Sequence, residues 1–275
     1  MYFNQLSKDY KKINKLKKNN NYNNFSLKEL QKLPILSGIV ELNFENHLFC
    51  MINILNDDAV PLKYLWRNSY EKLSMKLWFE ITRKNGFFFD IGAHTGIYSI
   101  ISNLNKKVNN TISIEPFFIN YSRLLSNLKL NNIDPKNCFL AAASDSEGMA
   151  KIKVNTPLTY HGSAGSLSDS GNFSINKIKI DSFKLEKKIK GIKIDTEGHE
   201  FEVIEGGKNL IEEDKPEIIF EINKNSFNKI FSFLSSLNYK FYFIDEINQN
   251  LIEINEFSDN LIKPEGSNCI AKLVK

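Results

Sequence analysis

A chain of 275 residues with 42% hydrophobic and 25% charged residues holds enough apolar material for one sizeable core and has the composition of an ordinary folded protein. Its net charge of +4 is lopsided, because residues 1–40 carry eight lysines against Asp9 and Glu29 and the rest of the chain is slightly acidic. That balance excludes a nucleic-acid-sized positive field on the body, and no run of about 20 apolar residues is available to span a membrane.

In chain order, residues 1–33 form a Lys/Asn-rich leader, KKINKLKKNNNYNN, expected to be mobile or loosely helical. It reads either as a solvated tail or as a patch for an anionic surface or partner. Residues 34–85 are expected to form a β-hairpin and helix cap. Ile39–Leu55 mixes alternation with β-branched and aromatic residues and turns at Glu45-Asn46. Tyr70, Leu73, Leu77 and Ile81 then recur at helical spacing, with Gly86 just beyond.

From Phe87 the pattern alternates strand and helix. Strands are expected at Phe87–Asp90, Thr111–Glu115, Phe139–Ala143, Ile192–Asp195, Glu217–Glu221, Tyr239–Ile244 and near Asn268–Val274. Between them, Tyr121, Leu124, Leu125 and Leu128 share one helix face, as do Phe227, Ile230, Phe231 and Leu234. The expectation is an α/β fold over residues 86–275: a Rossmann-like, seven-stranded, mostly parallel sheet with helices on both faces, plus the N-terminal addition. The glycine-rich Tyr160–Ser174 reads as a surface loop or a lid over a pocket. Cys50, Cys138 and Cys269, odd in number and widely spaced, read as reduced core residues. The amino terminus lacks a signal-peptide apolar core, so a cytoplasmic location is expected.

Ligands in such sheets bind at the carboxyl ends of the strands, so chemistry is sought there. In FFFDIGAHTGIYSI, Asp90 ends a strand, and Gly92 and Gly96 bracket a turn into a helix whose free N–H groups favour a negative group. Glu115 ends the next strand, where a carboxylate can accept both hydroxyls of a ribose. Together these describe a site for a nucleoside-bearing cofactor. The spacing is not the G-x-G-x-x-G of nicotinamide binders, and an aspartate beside the loop would repel a pyrophosphate. It suits S-adenosylmethionine, which carries an ammonium and a sulfonium.

A second block, GIKIDTEGHEFEVIEGG, ends a strand at Asp195 and crowds Glu197, His199 and Glu200 into the turn that follows. PEIIFEIN brings Glu221 to the end of a neighbouring strand. Such crowding marks acid/base chemistry. Glu200 can equally favour the first turn of a helix through its macrodipole, and Glu221 can be a solvated edge carboxylate.

The blocks DIGAHTG, IEP, AAASDSEG, KIDTEGHEFEVIEGG and PEIIFEIN, in this order, resemble the FkbM family of S-adenosylmethionine-dependent methyltransferases, from about Tyr70 to Asn223. The resemblance implies that Asp90, Gly92, Ala93, His94 and Gly96 surround the methionine moiety, that Glu115 holds the ribose, and that Asp145 lies near the adenine. It also places Glu71 close to the pocket. His94-Thr95 departs from the family's usual Asn and aliphatic pair. The implied reaction is methylation of a hydroxyl on a sugar, glycan or glycosylated small molecule. Asp195 or His199 would serve as base, with Glu197 and Glu221 orienting the acceptor. The oxygen ligands of Asp195 with Glu197 or Glu221 permit Mg²⁺, but their spacing does not demand it. A nucleic-acid methyltransferase and a nicotinamide-dependent oxidoreductase are the rival readings.

Overall fold

The computed structural model describes residues 13, 15–17, 21–35, 37–104, 110–154, 165–167, 170–263 and 266–274. The short helix α1 (Leu27–Leu30) starts at a capping box in which Ser26 and Glu29 satisfy each other's backbone N–H. The hairpin β1 (Gly38–Phe44) and β2 (His47–Asn53) turns at Glu45 and Asn46, both at positive φ, as a two-residue turn between right-twisted strands requires. Helices α2 (Ala59–Arg67) and α3 (Lys72–Thr82) follow.

The alternating part begins with β3 (Phe87–Ile91), α4 (Ile97–Ile101), β4 (Thr111–Ile114) and α5 (Phe118–Leu130). Short strands β5 (Cys138–Phe139) and β6 (Ala142–Ala143) lead to β7 (Gly148–Val154), β8 (Gly165–Leu167) and β9 (Phe173–Ile178). Then come β10 (Ile189–Ile194), α6 (Glu200–Gly206), α7 (Lys208–Asp214), β11 (Glu217–Glu221), α8 (Phe227–Ser236), β12 (Tyr239–Asp245), β13 (Asn250–Ile254) and β14 (Asn268–Leu273).

The main sheet has the order β13-β12-β14-β11-β10-β3-β4-β5, parallel from β11 to β5 and antiparallel elsewhere. It is the α/β sheet expected from the sequence, with β13 added as an eighth, edge strand. Side-chain alternation splits the core into two layers. Phe88, Ile219 and Ile270 pack with Trp78, Met75 and the hairpin, whereas Phe89, Ile91, Ile192, Ile194 and Phe220 pack with residues of α6, α7 and α8. Both faces are therefore covered, and the central strands are mainly apolar, with Asp90, Thr111, Ser113 and Lys193 as buried polar exceptions. The expected strand Phe139–Ala143 is divided: Cys138–Phe139 closes the main sheet, and Ala142–Ala143 enters a second sheet of order β6-β9-β7-β8.

The hairpin is fastened to α5 by side chains standing in for a missing strand. Asn131 accepts from the Cys50 N–H (2.8 Å) and donates to the Cys50 carbonyl (2.7 Å), and Asn127 accepts from the Ile52 N–H (2.9 Å). Part of the leader is packed, contrary to expectation. Tyr22 is buried with its ring 4.9 Å from that of Trp66, and Ile13 and Leu30 are also buried. Residues 1–12, 14 and 18–20 lie outside the described residues, as do 160–164 and 168–169 of the expected lid region. The remainder of that region contains β8 and the start of β9. The three cysteines are free thiols, and among the described residues no helix is long and apolar enough to cross a membrane.

Candidate active site

Register alone gathers the acidic strand ends. Ile114, Ile91, Ile194 and Phe220 lie side by side across β4, β3, β10 and β11, so the next residues, Glu115, Gly92, Asp195 and Glu221, emerge along one edge. A cavity of about 240 Å³ opens there. Its walls include Asp90, Gly92–His94, Glu115, Lys193, Asp195, Glu197 and His199.

At one end the loop after β3 wraps Glu115. The Gly92 and Ala93 N–H groups donate to the Ile114 carbonyl, and the His94 N–H donates to a Glu115 oxygen at 2.8 Å. The other Glu115 oxygen accepts from the Phe117 N–H at 2.8 Å. Each oxygen keeps a lone pair for a ligand hydroxyl. Burial raises the Glu115 pKa, opposed by nearby His94 and these hydrogen bonds. His94 sits at φ +51, a left-handed conformation that asparagine and histidine tolerate better than most residues.

The two loop glycines answer to protein neighbours as much as to a ligand. At Gly92, φ is +74 and an added Cβ would lie 1.7 Å from the Asp195 carbonyl oxygen; at Gly96, φ is +96 and a Cβ would meet Leu124 at 2.6 Å. Asp90 is buried beneath the loop. It accepts from the Ser99 hydroxyl at 2.5 Å, and burial, eased by that bond and by Lys193, pushes its carboxyl up to about 6.

At the other end, among the described residues, Asp195, Glu197 and Glu221 each offer an oxygen within 4.8 Å of the others. Lys193, missed by the sequence reading, lies under them. Its ammonium is 3.2 Å from Asp195, 3.4 Å from the Asn268 amide oxygen and 5.0 Å from the centre of the Tyr98 ring. Burial works to lower the Lys193 pKa, but Asp195, Glu71 and Glu221 carry it above its ordinary value. Burial first, and then Asp195 and Glu197, push the Glu221 carboxyl up to about 8. A lysine interrupting the apolar run of GIKID was the available signal for this group.

Glu71 does not line the cavity; it supports its floor. At φ +36 it precedes α3, accepting from the Tyr98 hydroxyl at 2.5 Å and from the Asn268 amide at 3.2 Å. Glu200 is a loop anchor, fully buried. One oxygen accepts from the Gly198 N–H at 2.8 Å and from Thr196, and the other accepts from the Ser226 hydroxyl at 3.0 Å. That satisfaction explains how a buried carboxylate is tolerated in the turn. His199 lines the cavity with its Nε2 3.0 Å from the Ser144 hydroxyl, which in turn donates to Asp145. Burial lowers the His199 pKa. Asp145 is exposed and outside the cavity wall, whereas Ala142 and Ala143 just before it form part of that wall.

Residues 90–241 match the family described as the methyltransferase FkbM domain. No curated protein matches the chain by sequence. Among solved structures, the chain is similar to a methyltransferase FkbM from Methylobacillus flagellatus KT, with 14% identity over 76% of this chain and 52% of that one and a TM-score of 0.43. It thus spans about half the length of that structure. It is also similar to the tRNA (uracil-54, C5)-methyltransferase of Pyrococcus abyssi (12% identity, 86% of this chain and 44% of that one, TM-score 0.44). A third similar structure is a SAM-dependent O-methyltransferase from Thermotoga maritima (10% identity, 74% and 65%, TM-score 0.39).

Proposed function

The chain belongs to the FkbM family of S-adenosylmethionine-dependent methyltransferases, and from that premise we propose that it transfers a methyl group to a hydroxyl of a sugar, glycan or glycosylated small molecule. The observation that carries this reading is that Asp195 and Glu197 line one end of a cavity, with Glu221 grouped beside them just outside its wall, while Gly92–His94 and Glu115 build the other end. Carboxyl oxygens accept hydrogen bonds, and one that keeps its proton, as Glu221 does up to about pH 8, also donates one, so the group matches a partner rich in hydroxyls.

The residues present fit the cofactor. Glu115 offers free lone pairs beside a backbone loop, while Asp90 supplies a carboxyl beneath it. When bound, S-adenosylmethionine supplies an activated methyl on its sulfonium. The protein's share is then to hold the acceptor oxygen in line and to take its proton as the new bond forms. Asp195 is assigned that proton. Lys193 fixes one of its oxygens, leaving the second for the acceptor. Glu197 and Glu221 orient neighbouring hydroxyls. His199, tied to Ser144, is assigned to the wall beside the base-binding end. The free thiols agree with a reducing, cytoplasmic setting.

The test is release of S-adenosylhomocysteine in the presence of a panel of hydroxylated acceptors. Asp195→Ala should lower turnover at least about 100-fold with cofactor affinity retained, as expected for a lost base. Glu115→Ala should weaken cofactor binding instead. Transfer to RNA with none to any sugar would overturn the acceptor assignment, and equal cofactor affinity in Glu115→Ala would remove the ribose assignment.

A further inference from the structure

Glu197 stands where a long side chain is not normally found. It sits in the turn after β10 at φ +55, a left-handed conformation uncommon for such a residue, and Gly198 follows at φ +101. Buried Glu200 imposes this turn by accepting from the Gly198 N–H at 2.8 Å and from the Thr196 N–H at 3.3 Å. The turn delivers Glu197 to the cavity wall, where among the described residues it has no hydrogen-bond or ion-pair partner. Its acidic neighbours are placed differently. Asp195 has the Lys193 ammonium at 3.2 Å, and Glu221 stands outside the wall. Partial burial, Asp195 and Glu200 raise the Glu197 pKa against the pull of His94 and Lys193. Of the carboxylates at this end of the cavity, Glu197 is the wall group still short of a cation.

We infer that Glu197 is a specificity-determining residue that supplies the countercharge to the cofactor's sulfonium, so that the chain holds S-adenosylmethionine in preference to the neutral product, S-adenosylhomocysteine. The inference rests on the cofactor reading above and on Asp195 as the proton acceptor, and adds to them what selects the reactive form. Geometry bounds the distance. An acceptor oxygen one hydrogen bond from Asp195 and in line with the methyl lies about 5 Å from the sulfur. A Glu197 oxygen is within 4.8 Å of an Asp195 oxygen, so even the most extended arrangement leaves it about 12 Å from the sulfur. At that limit, with an effective dielectric of about 20, opposite unit charges are worth about a factor of ten in affinity. Solvent reaching Glu197 reduces this to about fivefold. Loss of the methyl leaves the sulfur uncharged, so the attraction ends with transfer and does not hold the product back.

The experiment is calorimetry of the full chain and of Glu197→Gln with S-adenosylmethionine, S-adenosylhomocysteine and the analogue carrying an amine in place of the methylsulfonium. Glutamine keeps the shape and removes the charge. Glu197→Gln should bind S-adenosylmethionine about fivefold more weakly and the product with unchanged affinity. The amine analogue, cationic at the same place, should follow S-adenosylmethionine. An equal change for all three ligands, or no change, overturns the inference, because a purely structural role would move them together. An amine analogue that behaves like the product also overturns it, since the contact would then be with the methyl rather than with the charge. If the unsubstituted chain binds all three ligands but the substitution leaves their ratios alone, only the Glu197 assignment falls. If it binds none of them, the cofactor reading falls and takes this with it. Should Glu197→Gln fail to fold by circular dichroism, Glu197→Gly, which the left-handed turn accepts without strain, gives the same comparison.

Discussion

Replacing Gly92 by alanine tests whether the loop after β3 is fixed by the protein itself. At φ +74 an alanine is strained by roughly 1–2 kcal/mol, the cost of left-handed backbone for a residue with a Cβ. The Cβ would also sit 1.7 Å from the Asp195 carbonyl oxygen, and that oxygen has little freedom to retreat. The Asp195 N–H is bonded to Ile91 and the Gly92 N–H to Ile114, both at 2.9 Å, so relief requires parting the ends of β3 and β10. Overpacking of this kind adds about 1–3 kcal/mol, for a total of about 2–5 kcal/mol. Gly148→Ala is the control: φ is +127 but nothing lies within 4 Å of the added atom, so only backbone strain remains. Urea unfolding of both variants beside the parent measures the difference. A Gly92→Ala loss no larger than that of Gly148→Ala would refute the reasoning. Loss of stability with unchanged S-adenosylhomocysteine affinity would show that the glycine serves the fold alone.

Glu200→Gln turns an NH₂ group toward donors that a carboxylate now satisfies, from Thr196, Gly198 or Ser226. It should cost about 2–4 kcal/mol in chemical unfolding. The Glu221 carboxyl is raised from 4.5 to about 8, so the folded state binds its proton more tightly than the unfolded chain. Its contribution to stability is full below pH 4.5 and is lost as pH rises through about 8. Glu221→Gln, which cannot ionise, should flatten the fall in stability over that interval. A parallel fall in both proteins would place the titration elsewhere.

The sheet was legible because its strands are short apolar runs closed by charged or turn residues, and because burial on both faces leaves few other ways to arrange them. The edge strand β13 was not: Asn250–Ile254 is half polar and mostly exposed, and it exists through pairing with β12 rather than through its own pattern. The break at Leu140-Ala141 was hidden for a related reason, since an uninterrupted apolar run cannot reveal which of two sheets each half joins. Within the site, carboxylates at strand ends were readable from position. Asn120 and Asn127 were not, because asparagines on a helix otherwise marked by leucines resemble its solvent face. Their burial follows from the loop and hairpin packed over α5, which are contacts distant in sequence. Asn127 donates to the Thr95 carbonyl at 2.8 Å while holding Ile52, tying the hairpin to the cofactor loop. Lys193 was missed because a charged residue inside a strand acquires meaning only from its neighbours.

Those neighbours bear on whether the carboxylate cluster takes a divalent ion. Three oxygens within 4.8 Å would ordinarily invite one. Here an ammonium already lies 3.2 Å from Asp195, and a proton held on Glu221 up to about pH 8 removes a second charge. A divalent ion in the same space would meet the repulsion of Lys193 and compete for an engaged Asp195 oxygen. Methyl transfer is therefore expected to survive chelation by EDTA, and titration with Mn²⁺ followed by electron paramagnetic resonance should show no tight site. Lys193→Met reverses the balance. It leaves the Asp195 carboxylate without its partner, at a cost of roughly 1–3 kcal/mol, below the penalty for a fully buried pair because the Asp195 side chain is 33% exposed. The variant should acquire Mn²⁺ binding and regain part of that stability as the ion is added. If the unsubstituted chain binds Mn²⁺ tightly and loses activity to EDTA, the lysine is an adjunct to a metal site rather than its replacement, and the proton accepted at Asp195 would have to be reassigned.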